Sequence, residues 1–384
     1  MELIEFGSIA HIKKGKKPTH QTLEPQSGFG PYVDIEAFET GDIKAYTDGE
    51  KCLPCQRGDI LIVCDGSRSG YVGRAINGYV GSTLAVISAD GMSPDYLYYF
   101  LQGKYALLNT KKKGTGTPHL DQQVLFKQKL VVPSLPEQNR IVARIKELFS
   151  ELDNGVETLQ KTKQQLAVYR QAVLTDAFKG NCPKVQIKSI SQAMSGYAFK
   201  SKRYTTEGQY TVVKIGNVKP FHFDFSRDLT RTNETEGNIL EKYLLKKGDC
   251  LITLTGSRGK RDYGFVSMIT NQESYLLNQR VAALRFKMDV ALPEFYQYYL
   301  SSAEYRNQFF SYETGNVGQG NVGIKALTEP FVVCPPLEKQ YKIVTEIEMR
   351  LSTCDSIEKT VDTALQQAAA MRQSILKQAF EGRL

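Results

Sequence analysis

Histidine is scarce in this chain: four residues in 384, at His11, His20, His119 and His222. Imidazole is the usual acid–base group near neutral pH, so little is available for catalysis. No apolar run reaches the roughly 18 residues that read as a membrane span, and no apolar leader opens the sequence. The seven cysteines are odd in number and unevenly scattered. That pattern excludes a complete disulfide framework and fits a reducing compartment, so a cytoplasmic protein is expected. No Gly-x-x-x-x-Gly-Lys-Ser/Thr loop is present to cradle nucleotide phosphates. "TGTPHLDQ" (115–122) lacks the flanking Ser-His-Asp order of a hydrolase. Cys52 and Cys55 make a single Cys-x-x-Cys, a weak basis for zinc without further ligands.

What the chain has is repetition. "QRGDILIVCDGSRSG" (56–70) and "KKGDCLITLTGSRGK" (246–260) share Gly-Asp, Leu-Ile and Gly-Ser-Arg at matched positions. Further pairs follow in the same order: "SIAHIKKG" with "SISQAMSG", "PDYLYYFL" with "PEFYQYYL", "PSLPEQNRIVARI" with "PPLEKQYKIVTEI", and "RQAVLTDAFKG" with "RQSILKQAFEG". The chain is a tandem duplication, and a fold must be argued repeat by repeat. None of the histidines recurs in both copies, and Lys242 and Leu245 replace the Cys-x-x-Cys pair.

Within each copy two textures alternate. Residues 1–133 and 181–334 are rich in Gly, Tyr and β-branched residues, with "DILIV", "AVI", "DCLITL" and "RVAALRF" reading as short strands between turns. "PDYLYYFLQGKYALLNT" and "PEFYQYYLSSAEYRNQFF" read as helices opening on proline. Residues 134–180 and 335–384 instead carry helical seams. Alternate steps of four and three from Ile141 to Asp176 meet Ile145, Leu148, Leu152, Leu159, Leu166, Tyr169 and Val173, interrupted at Gly155 and Thr162. The second seam runs from Ile343 through Ile347, Arg350, Cys354, Ile357, Val361, Ala364, Ala368, Met371 and Ile375 to Gln378. Ser134 and Glu137 suggest a capping box for the first helix, and Gly180 with Pro183 its stop. A rod apolar along one seam needs a partner. The expected partner is its own repeat, antiparallel, giving two mixed domains in a pseudo-twofold arrangement; the alternative is a second copy of the chain.

The net charge is +8, and residues 181–336 hold most of the excess, with 20 Lys and Arg against 14 acids. A basic surface suits a polyanion. Six loops with polar, cationic tips form three corresponding pairs. The first domain offers Lys14, Lys16 and Lys17; Ser67 and Arg68; and Lys112, Lys113, Thr117 and His119. The second offers Lys200, Lys202 and Arg203; Ser257, Arg258, Lys260 and Arg261; and Asn316, Gln319 and Asn321. Arg and Lys suit phosphates, while Asn, Gln, His and Arg can read base edges, so these nineteen residues are the candidate DNA contacts.

These residues resemble those of the specificity subunit of Type I restriction–modification systems. "KGDCLITLTGSRGK…LLNQRVA", "RGDILIVCDGS", "KGTGTPHLDQ" and "GNVGQGNVGIKAL" look like its target-recognition domains. The helix openings and the "RQAVLTDAFKG" and "RQSILKQAFEGRL" endings look like its conserved regions. The resemblance covers nearly the whole chain and is loosest in the first domain. It implies an α+β chain of two target-recognition domains separated by two long antiparallel helices in a coiled coil. It also implies a subunit that binds double-stranded DNA without chemistry, each domain reading half of a split, asymmetric target. The helices would set the gap and dock two modification subunits that use S-adenosylmethionine. Restriction subunits that consume ATP with magnesium would join them, leaving no cofactor or metal on this chain. Two rivals stand beside this reading: an enzyme whose motifs are unrecognised, and a helical scaffold that binds only protein.

Overall fold

The computed structural model describes residues 3–114, 116–180, 182–226, 228–234, 236–271, 273–316 and 318–384. Thr115 and Val317, inside two of the candidate loops, fall outside that set. The chain divides into two compact units, Met1–Gln160 with Asp362–Leu384, and Lys161–Val361.

In the first unit the strand Ile60–Val63 is buried throughout. A strand sends alternate side chains to opposite faces, and here both faces are covered. Ile60 and Ile62 join Ile87, Phe100 and Leu101 in one core. Leu61 and Val63 join Val33, Val80 and Leu84 in another. This strand lies third in an antiparallel sheet ordered Ala10–Lys14, Leu84–Ala89, Ile60–Val63, Val72–Arg74. The helix Pro94–Thr110 packs Tyr96, Leu97, Phe100 and Leu101 inward, and Ser93 caps it by accepting the Tyr96 amide at 3.3 Å.

The second unit repeats this plan. Its main sheet runs Ser191–Ser195, Val281–Phe286, Cys250–Thr253, Val266–Met268, the same order in the second copy's residues. The expected single helix over 293–310 is two, Pro293–Leu300 and Ala303–Phe310. Ser302 caps the second by accepting the Tyr305 amide at 3.4 Å, a local bond that competes with helix continuation.

Two long helices, Leu135–Ala177 and Leu337–Phe380, have 43 and 44 residues, about 65 Å each. Each is locked to a domain at its start by a fully buried glutamine. Gln138 accepts the Ser93 amide and donates to the Gly91 and Pro133 carbonyls. Gln340 accepts the Leu292 amide and donates to Val290 and Pro335. The carboxylate of Glu137 bonds Arg140 through both oxygens, in place of the expected reach back to the cap. Gly180 ends the first helix with φ of +124°, as its sequence foretold.

The helices run antiparallel. In the second unit Arg170 meets Asp355 and Glu358 at 2.6 and 2.9 Å, and Asp176 meets Arg350 at 3.5 Å. In the first, Arg372 pairs with Asp153 and lies over Phe149. The seam is narrower than the sequence suggests. Ile145, Leu166, Val173, Ile347, Cys354, Val361 and Ala368 are buried, but Tyr169, Ile357 and Met371 are exposed. Ile145, Val173 and Ile347 are enclosed by the domain cores; elsewhere two helices cover only a strip of each other, which leaves seam positions on the rim.

Candidate nucleic-acid interface

Three of the first domain's candidate segments converge. The carboxylate of Asp65, just ahead of the Gly-Ser-Arg turn, takes Lys14 Nζ at 2.7 Å and His119 Nδ1 at 2.7 Å. The backbone laces the same loops: Gly66 N–H donates to the Pro118 carbonyl at 2.8 Å, and Lys113 and His119 exchange amide bonds. From the helix side, Asn109 donates to the carbonyls of Ser67 and Ser69, and Lys112 to that of Ser67. Burial alone would push the Asp65 carboxyl up, but Lys14 and His119 hold it below the usual aspartate value. Arg68 pairs with Glu39, and Lys113 with Asp121 at 3.0 Å. Ser67 and Thr117 sit exposed on this surface. Lys16 and Lys17 are exposed and form no side-chain hydrogen bond or ion pair among the described residues.

The second domain joins the corresponding loops through a small sheet. Thr255–Gly256 pairs with Gly320–Val322, which pairs with Glu313–Thr314. Asn321 is turned into this sheet, accepting the Thr255 hydroxyl at 3.0 Å. Arg258 Nη1 donates to the Gly315 carbonyl at 2.5 Å, and the Ser257 amide to Asp262 at 2.7 Å. Asn316, Gln319 and Lys260 stay exposed. Arg261 reaches Asn307 Oδ1 at 3.0 Å and lies over the Phe310 ring.

The remaining candidates are set apart. Lys200, Lys202 and Arg203 flank a strand of a different sheet, ordered Tyr204–Thr205, Arg231–Thr232, Tyr210–Val213, Tyr275–Leu277. Arg203 is engaged by Glu234 and Glu236 at 3.3 and 3.1 Å. Among the described residues no hydrogen bond or ion pair links these three to the other two loops. The expected equivalence of the three loop pairs therefore holds for two of them.

Among the described residues Cys52 and Cys55 do not gather with further His, Cys, Asp or Glu ligands. Cys55 donates toward the Ile76 carbonyl, and burial pushes its thiol up to about 11. A grouping of metal-type ligands does occur at exposed His20, Asp48 and Glu50.

A family model described as the Type I restriction modification DNA specificity domain matches residues 1–166 and again 181–367. The chain belongs to that family. The double match is the tandem duplication itself. The Type I restriction enzyme MjaVIII specificity subunit of Methanocaldococcus jannaschii is 25% identical, covering 100% of this chain and 92% of that one. The EcoBI specificity subunit of Escherichia coli is 23% identical, covering 99% and 85%. A chain from a solved type I R-M system superposes with a TM-score of 0.75 at 19% identity, covering 100% of this chain and 98% of that chain. The HsdS subunit from Thermoanaerobacter tengcongensis gives 0.58 at 18%, covering 100% and 97%. At these identities the superpositions speak for the architecture of a specificity-family chain.

For a member of this family, the sequence missed the residues that hold the loops. Glu39, Asn109 and Arg306 grip the two Gly-Ser-Arg loops, yet none lies in a loop motif. Asn109 lies on the proline-led helix Pro94–Thr110, and Arg306 on Ala303–Phe310 within the stretch read as its counterpart, the one signal that could have drawn attention to them.

Proposed function

We propose that this chain is the DNA-reading specificity subunit of a Type I restriction–modification assembly and performs no chemistry itself. Each domain takes one half of a bipartite, asymmetric duplex target. The long helices set the unread gap and dock two modification subunits, which bring S-adenosylmethionine; restriction subunits bring ATP hydrolysis and magnesium. The assembly works in the cytoplasm.

One observation carries this reading. In both domains the Gly-Ser-Arg loop is tied to the later Gly-rich loop, at Gly66–Pro118 and at Thr255–Asn321, so each presents a joined polar, cationic surface. A reader needs that combination: cations for phosphates, held beside amides and hydroxyls that face bases. We assign the exposed, uncommitted side chains of Lys16, Lys17, Lys200, Lys202 and Lys260 to phosphates. Ser67, Thr117, Ser257, Asn316 and Gln319 are assigned to the base-reading surface, and Asn321, which accepts the Thr255 hydroxyl, to holding the loop beside them. Lys14, Arg68, Lys112, Lys113, His119, Arg203 and Arg258 approach DNA already oriented by partners within the protein; Arg261 completes the set.

The test is to purify the chain with its chromosomal neighbours and map methyl groups placed on DNA. The expected result is modification at a split asymmetric sequence that requires both this chain and a partner. Methyl transfer by the chain alone would sink the reading, as would DNA affinity indifferent to salt, because phosphate contacts release counterions.

A further inference from the structure

Arg261 and Arg306 share one aromatic ring. Their guanidinium carbons stand 5.2 and 5.1 Å from the centroid of the buried Phe310. Neither forms an ion pair among the described residues, unlike Arg68, Arg74, Arg203 and Arg285, each of which meets a carboxylate. The nearby acids are committed elsewhere: Asp262 to the Ser257 amide, Glu313 to the Tyr263 hydroxyl. Two cations brought together without a counterion leave a local excess of positive charge that an anion would relieve.

Arg306 also holds the loop. Its guanidinium donates to the carbonyls of Gly264, Arg261 and Tyr263 at 2.8, 2.9 and 3.2 Å. Arg261 itself has a left-handed backbone with φ of 52°, a conformation that costs a non-glycine residue and persists only where its surroundings enforce it. The enforcement is visible: Arg306 fixes its carbonyl, and Asn307 and Phe310 fix its side chain. Burial, and then the charge of Arg261, lower the pKa of Arg306, as expected for a cation lacking a neutralising partner. The shorter first-domain turn, "GSRSG" against "GSRGKRDYG", has no counterpart of Arg261.

We propose that Arg261 binds a phosphate of the DNA backbone and that Arg306 is the positioning residue for that contact, a grip special to the second domain. The proposal rests on the DNA-reading function above. The measurement is affinity against salt for the full-length chain on a short labelled duplex of random sequence, with thermal unfolding of each variant alongside. R261Q and R306Q should each weaken binding by roughly tenfold and lower the log–log salt slope by about one. The double variant should lose little more than either single one, because both act on the same contact. R306K, which keeps the charge but not the fork, should fall between parent and R306Q. Additive losses, or an R306Q chain that melts earlier but keeps the parental slope, would overturn the proposal. If R306Q does not fold, R261G decides: relief of the left-handed residue should raise the melting temperature while the slope falls by about one, and an unchanged slope overturns the idea. A parent chain with no salt-dependent binding refutes the underlying function instead, and needs no variant to show it.

Discussion

The ring of Phe380 stands edge-on to that of Phe100, centroids 5.5 Å apart at 73°, so the last turn of the second long helix closes the core of the first unit. Phe178 has the same part in the second unit, 5.1 Å from Tyr299 and 5.4 Å from Phe295. The duplicated "DAFKG" and "QAFEG" endings therefore plug equivalent sockets. Phe380→Ala should destabilise the first unit by about 3 kcal/mol, the usual cost of emptying an aromatic site. Hydrogen exchange should show lost protection over Pro94–Thr110 with little change in the main sheet of the second unit.

The buried glutamines should be as sensitive as the aromatic plugs. Gln340→Leu fills the space but strands the Leu292 amide and the carbonyls of Val290 and Pro335. A cost of about 3 kcal/mol is expected, since buried groups left unpaired lose their solvation without return. Gln138→Leu should cost a similar amount, and denaturant midpoints would measure both.

Asp65 gives a pH signature. Its carboxyl sits below its unfolded value of 3.8, so the lace to Lys14 and His119 stabilises the fold above that value. The contribution disappears as pH falls through the lower, folded value. Asp65→Asn should cost about 1–2 kcal/mol at neutral pH, and its stability curve should converge on the parental one in acid. A variant as stable as the parent at neutral pH would show that the lace contributes nothing.

The seam offers a graded test. Ile347 is fully buried, whereas Leu152 is only half-buried. Ile347→Asp should cost several kcal/mol, more than Leu152→Asp, because only the first places a carboxylate out of reach of water. On the proposed function, both should impair binding to a split target in the same rank order.

Arg258→Ala removes a loop donor as well as a charge, since its guanidinium ties the turn to Gly315. A loss of roughly 1–3 kcal/mol in DNA binding is expected, measured at matched salt. Equal affinity in mutant and parent would remove Arg258 from the interface.

Much of the architecture was legible because repetition tests itself. "DILIV" and "DCLITL" gave the same strand twice, and the long seams announced helices of nearly the right length. The depth of the seam was not legible: Tyr169 and Ile357 keep the heptad period but sit on the rim of a two-helix contact. Gln138 was invisible, because a single polar residue carries no period and its partners lie far along the chain. The loops were readable as candidates, but their lacing was not. Nothing local says that Asp65 meets His119, or that Arg306 would brace a turn more than forty residues before it.

The socket filled by Phe380 sets an order of events during synthesis. Ribosomes make the first unit's sheets early and its plug only after the second unit's sheets, whereas Phe178 is already made before most of the second unit's sheets are. Tyr96 and Phe100, the rings beside Phe380, thus stay uncovered until the second long helix has been made. Completion of the first unit therefore waits on synthesis of the second repeat, and in that interval its apolar socket is open to association with other chains.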